Sequence, residues 1–267
     1  MDIQEAAEKF READPSGKFQ GWLPHQLEAF EKWESLEKAC VYYPTGKGKT
    51  QIMLTMIAVR GYKTVVVIAP PITHNAWIRH GKTLGLKVIA MSHAKFRQKD
   101  VKLQRETPVI VDEVHLCGGQ TGAGWTKLDR LAAGLKAPLV LGSATPNYND
   151  VERVYCVAHV IDPHGNRGGF IGWLYRNCET EENPFGSIPN VVRPLHYKDA
   201  EEMLANLPGV IYIPDEAPDI LVDIQVGYDP LPDEFDELGV DRSRGRIVAS
   251  MMEEDQRESL LKILTPD

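Results

Sequence analysis

Several things are scarce or missing in this chain of 267 residues, and each absence narrows the reading. It has four cysteines, Cys40, Cys117, Cys156 and Cys178, and none forms a CxxC pair. That spacing excludes a disulfide frame and a zinc knuckle and suits reduced thiols in a cytosolic protein. There is no apolar run of about 18 residues, so no membrane-spanning helix is predicted. The opening MDIQEAAEKFREADPSGKFQ has no apolar segment, and a signal peptide is not expected. Internal repeats and low-complexity tracts are absent, no histidines stand at metal-ligand spacing, and no Ser-His-Asp signature occurs. What remains is ordinary globular composition, with 43% hydrophobic and 25% charged residues, enough to bury a core.

The net charge of −8 conceals an asymmetry. From Lys47 to Arg105 there are 12 Lys+Arg and one acid, Asp100, while residues 179–267 hold 21 acids and 7 bases. A basic block in an acidic chain marks one face suited to a polyanion, or else a solvated face paired with the acidic tail.

Continuous apolar runs predict buried strands at 39–44, 64–70, 87–92, 108–115 and 138–145. Helical patterns fall between them, at 49–60, 72–84, 93–104 and 125–135, with two more helices at 4–13 and 24–38. This alternation predicts an α/β fold, a mostly parallel sheet with helices on both faces. After residue 146 the pattern loosens. A helix is expected at 148–159, then Gly/Asn/Pro-rich loops at 162–170 and 182–190. A short helix at 199–207, strands at 210–214 and 220–226, and a helix at 247–264 complete the reading.

The sharpest local feature is YPTGKGKT (43–50), between a strand and a helix. Gly46 and Gly48 let the backbone curl so that amides and the helix N-terminus face phosphates. Lys49 supplies charge, Thr50 a hydroxyl for Mg²⁺, and Thr45 and Lys47 complete the loop. Tyr43 stands where the usual GxxxxGK[ST] pattern has glycine. VIVDEVH (109–115) puts Asp112 and Glu113 at a strand end that a parallel sheet brings beside this loop. Asp112 would orient Mg²⁺ and Glu113 would polarise the attacking water. His115 would link the γ-phosphate site to its neighbours.

The ordered set PTGKGKT (44–50), DEVH (112–115) and SAT (143–145), with a glutamine in LPHQLEAF (23–30), resembles superfamily 2 helicases and translocases. The segments 65–77, 88–96 and 143–163 are most similar to the Swi/Snf-like branch, although phage helicases and restriction-enzyme motors show such mixtures too. The resemblance covers about residues 20–228 and implies a RecA-like P-loop domain at 1–228, with 229–267 an acidic extension toward a second motor domain. It implies ATP and Mg²⁺ as cofactors, Gln26 at the adenine edge and Phe19 or Trp22 stacking on the base. It also implies that Ser143 and Thr145 couple the ATP site to nucleic acid. The expected partner is DNA, duplex favoured, held at 70–77 and 92–96. Thr73, Ser92 and His93 would meet phosphates there, with charge from Lys95, Arg97 and Lys99. Trp77, Trp125, Trp173 and Tyr175 are read as packing. The arginine-finger motif of a second RecA-like domain is not found, so a second domain or subunit is expected and hydrolysis by this chain should be weak. The resemblance implies a cytoplasmic ATPase, in the host cytoplasm if phage-encoded. A non-catalytic nucleotide- or DNA-binding partner module, a restriction-enzyme motor fragment and an RNA helicase remain as alternatives.

Overall fold

The computed structural model describes residues 1–98, 101–119, 122–144, 151–163, 165–166, 169–184 and 186–213. These lie within one compact unit, Met1–Asp215. The expected strand at 220–226, helix at 247–264 and domain boundary at 228/229 fall outside them.

Six strands form one parallel sheet: β1 (Lys38–Tyr42), β2 (Thr64–Ile68), β3 (Lys87–Met91), β4 (Val109–Val111), β5 (Leu139–Ser143) and β8 (Val210–Tyr212), ordered β3-β2-β4-β5-β1-β8. Alternate residues of the central strands enter two cores, as the period of two in a strand requires. Ala39, Val41, Val65, Val67, Ile110 and Val140 pack under α1 (Ile3–Ala13), α2 (Pro24–Glu34), α3 (Lys49–Val59) and α4 (His74–Thr83). Cys40, Val66, Ile68, Val109, Val111, Leu139 and Leu141 pack under α5 (His93–Arg97), α6 (Ala123–Gly134), α7 (Val151–Ile161), α8 (Gly169–Asn177) and α9 (Ala200–Ala205). The strand order, with a glycine loop between β1 and α3, is that of a RecA-like P-loop domain. All four cysteines are buried, and burial pushes the Cys40 and Cys117 thiols up to about 12.

The elements depart from expectation in five places. α2 stops at Glu34 instead of running to 38. There the Arg60 guanidinium donates to the carbonyls of Trp33, Glu34 and Leu36 and lies 4.2 Å over the Trp33 ring. A cation thus takes the place of another helical turn. The helix expected at 93–104 ends at Arg97, because the following QKDVKLQRET offers no apolar stripe at helical spacing. Helix α8 arises where no helix was foreseen, and β6 (Cys178–Glu181) and β7 (Asn190–Pro194) form an unforeseen antiparallel hairpin. Strand β8 extends the main sheet beside β1, a pairing that local sequence does not encode. Trp77, Trp125 and Trp173 are buried as expected, whereas Tyr175 is 61% exposed and does not pack. Among the described residues no helix is long and apolar enough to cross a membrane.

Candidate nucleotide site and nucleic-acid face

The phosphate loop leaves β1 at its carboxyl end, where ligands of open parallel sheets bind. Gly46 (φ 83°) and Gly48 (φ 80°) both take left-handed backbone. At Gly48 a side chain is also excluded by space, since a Cβ would lie 2.5 Å from Gln26 Nε2. Gly48 starts α3 without a side-chain cap, so the first amides of that helix are open to an anion. Lys49 and Thr50 are half-buried, while Thr45, Gly46 and Lys47 are exposed.

Sheet order explains what meets this loop. β5 lies between β1 and β4, so Ser143 stands between the loop and the carboxylates that follow β4. Lys49 Nζ reaches 3.7 Å from Asp112 Oδ1 and 3.5 Å from Glu113 Oε1. Glu113 is the sole non-glycine residue with positive φ (51°) among the described residues. Such a conformation costs about 1–3 kcal/mol and turns its carboxylate back over β5. There Glu113 Oε2 accepts from Ser143 Oγ at 3.1 Å and from the Ala144 amide at 3.4 Å. His115 Nδ1 lies 3.0 Å from Ser143 Oγ and 3.4 Å from Glu113 Oε2. Since the hydroxyl proton goes to Glu113, the His115 ring nitrogen is the donor to Ser143. Thr145 lies outside the described residues.

Asp112 is deeper. Its Oδ2 accepts from the Trp77 indole at 3.3 Å, and its Oδ1 is buried without a hydrogen bond. Burial pushes this carboxyl above the usual carboxylate range, while Lys49 pulls it down. A buried carboxylate oxygen with no hydrogen bond, beside a hydroxyl-bearing glycine loop, is a donor set that fits Mg²⁺. Among the described residues no three His, Cys, Asp or Glu form a group that could hold a metal ion.

Gln26 is buried at the start of α2. Its Oε1 accepts from the Leu23 amide and its Nε2 donates to the Lys47 carbonyl, both at 3.0 Å. It therefore pins α2 to the phosphate loop and keeps one N–H in reserve. A cleft of about 760 Å³ opens beside it, walled by Phe10, Phe19, Gln26, Gly48, Gln51 and His80 among others. Phe19 faces this cleft. Trp22 is not in its walls; its indole donates to the Ile3 carbonyl at 2.8 Å and its ring edge meets Phe30, which corrects its candidacy for base stacking. Asp14 sets the approach of Phe19 by accepting from its amide at 2.7 Å and from Ser16 Oγ at 2.6 Å.

The expected nucleic-acid residues divide. Lys95 and Arg97 are exposed on α5, and Thr73 and Ser92 are half-buried. Ser92 caps α5 by accepting from the Lys95 amide, and Thr73 donates to the Pro70 carbonyl. His93 is buried, and its Nε2 is 2.8 Å from the Asp112 carbonyl. The expectation that it meets a phosphate is corrected: α5 turns the ring inward, with Nε2 on the Asp112 carbonyl and Nδ1 3.7 Å from Cys117 Sγ. Lys99 lies outside the described residues. Sequence reasoning missed Trp77 and His93 as neighbours of Asp112; the aromatic and imidazole N–H groups inside apolar runs were the available signal.

The chain matches no protein-family model and no curated protein sequence. Among solved structures, it is similar to a SWI2/SNF2 ATPase core from Sulfolobus solfataricus in complex with double-stranded DNA, at 15% identity and a TM-score of 0.44. That likeness covers 54% of this chain and 36% of the other, so the chain spans about a third of the neighbour's length.

Proposed function

We propose that the chain is the first motor domain of an ATP-dependent DNA helicase or translocase. The observation that carries this reading is the meeting of Lys49, Asp112 and Glu113 within 3.7 Å at the carboxyl edge of the sheet. The loop amides around Gly46 and Gly48 and the Lys49 ammonium bind the β- and γ-phosphates. Lys49 lies on the two carboxylates, and a bound phosphate would compete with them for its ammonium. Thr50 and Asp112 would hold Mg²⁺, which when bound neutralises charge on the phosphate oxygens. Glu113, fixed by Ser143 and the Ala144 amide, accepts the proton of the attacking water. Gln26 offers its remaining N–H to the base, and Phe19 covers it. Thr73, Ser92, Lys95 and Arg97 hold the DNA backbone without reading sequence. The unit 1–228 would act with a second RecA-like domain, and 229–267 would be an acidic extension.

ATP turnover by the chain, measured with duplex DNA, with RNA and alone, tests this. Stimulation by duplex DNA that is lost in Lys49→Ala is the expected result. Turnover indifferent to nucleic acid would favour a nucleotide-binding module, and stimulation by RNA alone would replace DNA as the track.

A further inference from the structure

Both loops assigned to DNA carry one residue that points inward, and both inward residues end on Asp112. In the first loop, Pro71–Thr73 form a single 3₁₀ turn and Trp77 lies one helical turn beyond Thr73. The Trp77 ring is fully buried, and its indole N–H reaches Asp112 Oδ2. In the second loop, Ser92 stays at the surface as the cap of α5 while His93, the next residue, reaches the Asp112 carbonyl. A carbonyl only accepts, so His93 Nε2 carries the proton and Nδ1 is left to face Cys117 Sγ at 3.7 Å. Arg97, an exposed cation of the same helix, donates from Nε to the His93 carbonyl at 3.3 Å. A phosphate that draws Arg97 outward competes for that bond.

The carboxylate at the centre is poorly restrained otherwise. Oδ1 has no hydrogen bond, and Lys49, its ionic neighbour at 3.7 Å, leaves when phosphates arrive. Trp77 and the Glu113 amide therefore set the rotation of the carboxylate, and His93 holds the Asp112 carbonyl while the Asp112 amide donates to the Ile68 carbonyl.

We propose that Trp77 and His93 are positioning residues that tie the two DNA-facing loops to Asp112, so that a duplex lying on those loops changes the affinity of the site for Mg²⁺–nucleotide. This rests on the functional reading above and is separate from the route through Ser143. The structure contains a contiguous chain of contacts on each side: loop, indole, carboxylate; and cation, helix, imidazole, carbonyl. A purely structural account has these bonds only satisfying buried N–H groups, which buried indoles and imidazoles commonly need. The two accounts differ in one quantity, the coupling between DNA and nucleotide. That coupling is reciprocal, and its usual size is about 5- to 150-fold.

The test uses the full chain, a fluorescent ATP analogue with Mg²⁺, and a short mixed-sequence duplex. In the unmodified protein the duplex should shift nucleotide affinity within the range just given. In Trp77→Phe and His93→Phe each ligand alone should still bind, and the coupling should fall to within about twofold of none. His93→Gln, whose amide can reach the same carbonyl, should restore it. A second readout needs no variant to be stable: in the unmodified chain the indole N–H resonance of Trp77 should move when duplex is added without nucleotide. The Trp173 indole, bonded to Asn166 at 2.9 Å, should stay in place. Wild-type coupling in both Phe variants, or a duplex-bound protein whose Trp77 resonance does not move, overturns the proposal. If the unmodified protein binds both ligands without coupling, this inference alone fails. If it binds neither, the motor reading fails and takes the inference with it.

Discussion

The proposed nucleotide site and the loops proposed to face DNA are built on opposite plans. At the site, charged groups face one another: Lys49, Glu113, Ser143 and His115 lie within 3.5 Å of a neighbour in the set. In the loops, Lys95 and Arg97 are exposed and have no carboxylate partner among the described residues, although Arg97 Nε also donates to the His93 carbonyl. Paired charges in a half-buried pocket are fixed in place, at the cost of desolvation, and suit chemistry that needs fixed geometry. Unpaired charges on a surface keep their reach and suit a backbone that must slide past. Trp77 and His93 reach from the loops to Asp112.

The largest expected effect attacks the paired region. Lys49→Ala should lower ATP turnover by about 10²–10³-fold, the usual effect of removing one charge-stabilising donor, while duplex binding measured by fluorescence anisotropy is unchanged. Glu113→Gln separates binding from chemistry. It should keep nucleotide affinity and lower turnover by about 10²–10⁴-fold, measured in single-turnover reactions. If both variants lose DNA binding as well, the two regions are not distinct.

The next effect attacks the unpaired region. Lys95→Ala with Arg97→Ala should weaken duplex binding and flatten its salt dependence, by about 0.9 in log–log slope for each phosphate no longer neutralised. Nucleotide affinity without DNA should hold. A salt slope equal to that of the unmodified chain would remove α5 from the DNA face.

Asp14→Ala is smaller. It releases the Phe19 amide and should weaken nucleotide binding several-fold through the base end of the cleft. The effect should be equal for ATP and ADP, because the phosphates are untouched.

The smallest effect is pH dependence. Burial holds His80 below its ordinary 6.5, with Arg79 adding to the shift. A folded-state value below the unfolded one means that its contribution is complete above about pH 6.5 and is lost as pH falls through the lowered value. Melting temperature should therefore fall on acidification below that point, less steeply in His80→Gln. His93 and His115, also lowered by burial, act in the same direction.

Much of this was readable along the chain. The glycine loop, the acidic strand end and the five strands of the expected sheet are local patterns, because phosphate curvature and strand burial are written in neighbouring residues. The reading failed where a partner distant in sequence decided. α2 is cut short by Arg60, 26 residues beyond Glu34. His93 looks like a polar loop residue, yet Asp112 and Cys117 take it inward. Trp22 and Phe19 are equivalent by sequence; only the packing of α1 separates them.

By itself, then, the sequence determined the alternation of strand and helix, the loop that can hold phosphate and the pair of acids that can work beside it. Each depends on periodicity or on the backbone freedom of particular residues within a few positions. Tertiary structure alone decided the order of strands that brings Ser143 between Lys49 and Glu113, and which oxygen of Asp112 is left open. It also decided which residues of the basic block face solvent. Those outcomes depend on contacts between segments tens of residues apart, and burial there overrides local preference.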